Sequence, residues 1–63
     1  MNDHASIERL KEVMIRTGLS KSTIYRLEAA GKFPKRLKIG FRAVGWDSGD
    51  VTAFIHGLKG AQQ

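Results

Sequence analysis

Apolar residues along this chain fall into three helical stripes and one short alternating run. In the first stripe Leu10, Val13, Met14 and Thr17 share one face, opposite Lys11, Glu12 and Arg16, which predicts an amphipathic helix. Gly18 follows, where a residue of left-handed conformation commonly closes a helix. The start is open: Ser6 could cap a longer helix that takes in Ile7, or residues 7–9 could be extended. The second stripe begins on Ser20, whose hydroxyl can accept from the amide of Ser22 or Thr23 as an N-cap. Leu19 before that cap and Ile24 after it have the spacing of a hydrophobic staple. Ile24 and Leu27 then point to the core and Gly31 stops the helix, which runs roughly from Ser20 to Ala30. Only Gly18 and Leu19 precede the Ser20 cap, so the two helices must cross steeply, as in a helix-turn-helix.

After Phe33 and Pro34, Leu37 and Ile39 alternate with charged residues, Gly40 to Arg42 suit a turn, and residues 43–46 suit a return strand. A lone hairpin is marginal in water, so Leu37, Ile39, Val44 and Trp46 are expected to pack part of it onto the helices. Asp47 caps a third helix, with Asp50 in the first turn where negative charge is favourable. Val51, Phe54, Ile55 and Leu58 form its core-facing stripe. The expected fold is mainly α with a small β-hairpin: three helices and a two-stranded wing over residues 6–59. Residues 1–5 and 60–63 are expected to be flexible tails.

Composition narrows the function. At 63 residues the chain supports one small core. It has no cysteine, and His4 and His56 lie far apart, so no disulfide, metal site or cofactor is expected. No apolar run approaches the roughly 20 residues that cross a bilayer, and residues 1–4 lack the features of a signal peptide. Cytoplasm is the expected location, with no membrane partner. There is no nucleophile–histidine–carboxylate set, glycine-rich phosphate loop or close carboxylate pair, so no catalytic residues are assigned and an enzyme is not expected. Net charge is +5 and unevenly placed. Between Ser20 and Arg42 seven positive residues face one negative residue, Glu28, so that stretch is +6 and the remainder is −1. A basic middle between near-neutral ends is the footprint of a protein that meets a polyanion.

With the core positions of the second helix set aside, Lys21, Ser22, Tyr25, Arg26 and Ala29 face solvent. Such a helix can enter the major groove with its N-terminal residues at base edges. Arg26 suits guanine, while Ser22 and Thr23 are less selective; Thr23 also suits a helix start. Lys21 suits phosphate, which carries little sequence information. Tyr25 could reach a phosphate through its hydroxyl or cover the edge of the core. Arg26 could alternatively pair with Glu28 or Glu12. Around the hairpin cluster Lys35, Arg36, Lys38 and Arg42, with Gly40 at the tip and Arg42 suited to a narrow minor groove. Lysine on an exposed edge could equally serve only to discourage strand pairing. Trp46 and Phe54 occupy core-compatible positions, with Tyr25 and Phe41 the exceptions, so no base-stacking platform of the single-strand type is formed.

Four segments bear a resemblance: Thr17-Gly18-Leu19-Ser20, Ser22-Thr23-Ile24-Tyr25-Arg26-Leu27, Gly31-Lys32-Phe33-Pro34 and Val44-Gly45-Trp46. In order and spacing, across residues 9–55, they resemble the AlpA family of phage-type regulators. The second block is shared with MerR-like and excisionase-like domains; the third and fourth narrow the resemblance to AlpA. It implies a MerR-like winged helix-turn-helix from a prophage or integrative element, activating integrase genes or acting as an excisionase-like directionality factor. It also implies that Ser22, Thr23, Tyr25 and Arg26 are recognition-helix positions, and that Lys38 and Arg42 belong to the wing. Arg9 departs from the pattern, standing where relatives often have a Ser or Thr cap.

Two classes of function result. One is a sequence-specific regulator that binds double-stranded DNA, with integrase or RNA polymerase as further partners. Because a single module offers little surface, that reading expects several protomers on adjacent sites. The other is a protein-interaction module that modulates an integrase or a signalling regulator.

Overall fold

The computed structural model describes residues 6–61. The elements are β1 (Ile7–Glu8), α1 (Leu10–Thr17), α2 (Lys21–Ala29), β2 (Leu37–Lys38), β3 (Val44–Asp47) and α3 (Ser48–Ala61). Three helices and a small antiparallel sheet thus follow the order of a winged helix-turn-helix. The expected tail at 60–63 is helical as far as Ala61, and the expected tail at 1–5 lies outside the described residues.

The sheet has one strand more than the two-stranded wing expected from the sequence. Its order is β1-β3-β2, with Ile7 opposite Asp47 and Glu8 opposite Trp46 on one side of β3, and Leu37 opposite Gly45 and Lys38 opposite Val44 on the other. Of the two readings for the N-terminal side, the extended one is therefore observed. Ser6 caps no helix; its carbonyl accepts from Ser48 N–H at 2.9 Å. A strand of two residues carries too little periodicity to register in sequence. Its partner is also forty residues away.

Helix α1 starts instead at Arg9, which has extended dihedrals. A guanidinium has no acceptor to offer an amide, so the usual cap bond cannot form. Glu12 instead accepts from Arg9 N–H at 2.7 Å, while Arg9 Nε donates to Val44 O at 3.1 Å. The side chain is thereby used to hold α1 to β3. At the other end Gly18 has φ +75°, and its N–H donates to Met14 O at 2.8 Å. The Thr17 hydroxyl accepts from Leu19 N–H and donates to Val13 O, which shapes the turn into α2. Asp47 caps α3 as expected, its carboxylate accepting from Asp50 N–H at 3.0 Å.

Val13, Ile24, Phe33, Trp46 and Val51 form the buried core, bordered by Leu10, Met14, Leu19, Tyr25, Leu27, Phe54 and Ile55. Trp46 is fully buried, and its indole N–H donates to Pro34 O at 3.0 Å. Phe33 packs edge-on against both Trp46 and Phe54. Arg16 donates to Thr52 Oγ1 and lies 3.4 Å from the Glu8 carboxylate, so one guanidinium links β1, α1 and α3. The expected packing of the hairpin holds for β3 but not for β2: Leu37 and Ile39 remain 43% and 42% exposed. Strand β2 lies on the outer edge of β3, away from the helices that cover Trp46.

Gly45 of β3 lies against the β1 residues Ile7 and Glu8. A Cβ there would collide with the Ile7 side chain and stand 2.9 Å from Glu8 O. Gly45→Ala should therefore destabilise the fold by about 1–3 kcal/mol, the usual cost of overpacking. Gly57→Ala, in open space within α3, should stabilise it by about 0.5–1 kcal/mol. Thermal melts check the pair, because about 1 kcal/mol moves the midpoint of a domain this small by roughly 4–8 °C.

Candidate nucleic-acid interface

Helix α2 is positioned by its cap and its buried stripe. Ser20 Oγ accepts from Thr23 N–H at 3.3 Å and donates to Thr23 Oγ1 at 2.9 Å. Ile24 is fully buried and Leu27 half-buried, so the outward face is fixed by rotation about the helix axis. On that face Lys21, Ser22, Arg26 and Ala29 are exposed. Thr23 is half-buried, with its hydroxyl engaged by the cap, as a helix-start residue requires.

Tyr25 lies at the border. Its ring stands 6.2 Å from the Trp46 ring and belongs to the rim of the core. The Arg36 guanidinium stacks over it at 4.9 Å. Arg36 also donates from Nη1 to Glu28 Oε1 at 2.8 Å and from its backbone amide to Glu28 Oε2 at 2.9 Å. Glu28 therefore clamps the end of α2 to the chain entering the wing. The sequence alternative that paired Arg26 with Glu28 or Glu12 is corrected by this arrangement. Glu28 is taken by Arg36 and Glu12 by the Arg9 amide, while among the described residues no ion pair involves Arg26.

The four wing cations thus divide. All four are exposed, but Arg36 alone among them is also held by Glu28 and Tyr25. An open groove of about 640 Å³ runs between α2 and this segment, lined by Tyr25, Glu28, Ala29, Lys35 and Arg36. A second groove of about 330 Å³ follows along the hairpin past Lys38, Gly40, Phe41 and Arg42, and Arg36 lines this one too. The two grooves meet at Arg36, so the hairpin cations adjoin the Tyr25 to Ala29 side of α2. Gly40 to Arg42 form that tip, closed by Ile39 N–H donating to Ala43 O at 2.9 Å. Among the described residues no cluster of three metal-binding side chains occurs, and no helix is long and apolar enough to cross a membrane.

Over residues 6–57 the sequence matches the family described as prophage CP4-57 regulatory protein (AlpA). The chain belongs to the AlpA family. A relative within phage, the uncharacterized protein ORF88 of Enterobacteria phage P4, is 45% identical over 49 residues. That match covers 78% of this chain and 56% of the phage protein, so the chain spans little more than half the length of this relative. Membership places the chain among regulatory proteins of phages and prophages. Every segment carrying the AlpA resemblance lies within the matched residues. Two of the contacts that shape this groove, Glu28 with Arg36 and Arg36 with Tyr25, left no local trace in the sequence, because separations of eight and eleven residues across a bend obey no helix or strand periodicity.

The clamp has a measurable signature. Arg36→Ala should cost about 1 kcal/mol or more, since it leaves the largely buried Glu28 carboxylate without its charged partner. Lys35→Ala, at an exposed position, should stay within about 0.5 kcal/mol of the parent. Denaturant titrations of the two variants give the comparison; equal effects would reassign Arg36 to the free cations.

Proposed function

We propose that this chain is a sequence-specific double-stranded DNA-binding transcriptional regulator of a prophage or integrative element. The observation that carries the reading is the exposed Lys21, Ser22 and Arg26 face of a capped second helix, together with the exposed cations of the hairpin that follows it. The helix enters the major groove, where Arg26 meets guanine and Ser22 a neighbouring base edge. Lys21, Lys35 and Lys38 meet phosphates, and Arg42 reaches the flanking minor groove. Thr23 and Tyr25 act mainly by setting the helix, with the tyrosine hydroxyl directed to a phosphate. Arg36 positions the wing and adds positive potential along the groove.

Excisionase-like action follows from the same contacts without catalytic residues. Several protomers on adjacent sites bend the DNA and assemble an integrase complex. Smooth bending of a 20–30 base-pair site costs on the order of 1–6 kcal/mol, which cooperating copies offset. At a promoter, occupancy beside RNA polymerase suffices for control of transcription. The work takes place in the cytoplasm, where the phage genome and these partners are found.

Titrating the protein onto duplex DNA at rising salt tests this reading. It predicts a log–log slope equivalent to roughly four to six phosphates, at about 0.9 per phosphate. Arg26→Ala should cost roughly 1–3 kcal/mol on a duplex selected by the wild-type protein and less on random DNA. Millimolar, sequence-indifferent binding at moderate salt would favour a module acting on an integrase or another regulator instead.

A further inference from the structure

We propose that Phe41, at the tip of the wing, is an apolar wedge that enters the base stack from the minor groove and kinks the DNA. The inference rests on the DNA-binding reading above and adds a residue and a deformation to it. Phe41 is 88% exposed, more than Ile7, Ile15, Leu37, Ile39 or Leu58, the other large apolar side chains left in solvent. Its ring contributes nothing to the core cluster. A phenyl group so placed leaves most of its apolar area in water, with no gain to the fold.

The neighbours indicate what buries it. The loop is narrow, closed at its base by the Ile39–Ala43 hydrogen bond, and it places Phe41 between Gly40 and Arg42. The Arg42 guanidinium stands 5.6 Å from the ring centroid, and Lys38 lines the same groove. The core of a protein interface is depleted of charge, whereas here a guanidinium stands over the ring and a lysine shares its groove. An apolar tip flanked by positive groups matches a base step between two phosphate backbones. Proteins that wedge phenylalanine or leucine into such steps unstack them and bend the duplex by roughly 20–90°. Arg36 lines both this groove and the one beside α2, so the wing-tip groove adjoins the helix proposed to read the duplex.

The experiment uses a duplex of about 30 base pairs, the length of a bent site, chosen by the wild-type protein from a random pool and dye-labelled at both ends. Affinity is read by anisotropy and bend angle by energy transfer. The wild type is expected to shorten the end-to-end distance. Phe41→Leu is expected to keep at least about half of the bend, because leucine also serves as a wedge. Phe41→Ala should bind about tenfold more weakly, as removal of a base-stacking ring does, and lose most of the bend. Its melting temperature should match the wild type, since the ring packs on nothing in the core. Wild-type binding without a bend, or an unchanged bend with Phe41→Ala, would overturn the wedge while leaving DNA binding intact. Failure of the wild type to select any duplex would overturn the DNA-binding reading itself, and the wedge with it.

Discussion

The burial of Trp46 on the central strand is the constraint on which the rest of the structure depends. Its indole fills the middle of a small core and donates to Pro34 O, so the chain leaving α2 is tied to β3. Phe33 and Tyr25 pack against the same ring, which refers the end of α2 and its outward face to one side chain. Strand β3 then holds β1 on one edge and β2 on the other. In a domain of this size, without cysteine and hence without a disulfide, so few buried side chains must organise every element.

Around that anchor the polar contacts separate structural cations from free ones. Arg9 holds α1 to β3, Arg16 links β1 with α3, and Arg36 fixes the wing to α2. Lys11, Lys21, Arg26, Lys32, Lys35, Lys38, Arg42 and Lys59 remain exposed, six of them between residues 21 and 42. Net charge alone overstates the surface offered to a polyanion, because some of the positive side chains are already committed to neighbours. What is left is concentrated along α2 and the hairpin, in a family of phage and prophage regulators.

Features that follow from local rules were legible in the sequence. The Ser20 cap, the left-handed Gly18, the Asp47 cap and the buried Ile24 all come from spacing and backbone chemistry, and each is observed. The family resemblance carried by the Gly31 to Pro34 and Val44 to Trp46 segments is also upheld. Contacts between distant segments were not legible. Strand β1 is two residues long and lies where a side chain at Gly45 would collide with it. Glu28 meets Arg36 across a bend, and Arg9 can start α1 only with help from Glu12. The outward position of Leu37 and Ile39 was likewise hidden, since alternation reveals a strand but not which edge of the sheet it occupies.

The central claim is that α2 and the wing tip act as one surface on duplex DNA, carried by a rigid Trp46 core. Amide and indole chemical shifts of the isotope-labelled protein, followed while a duplex selected from a random pool is added, test it most directly. The account predicts large shifts at Lys21, Ser22 and Arg26 and at Gly40 to Arg42, with the Trp46 indole nearly unmoved. Shifts confined to α1 or α3, with α2 and the wing tip silent, would contradict it.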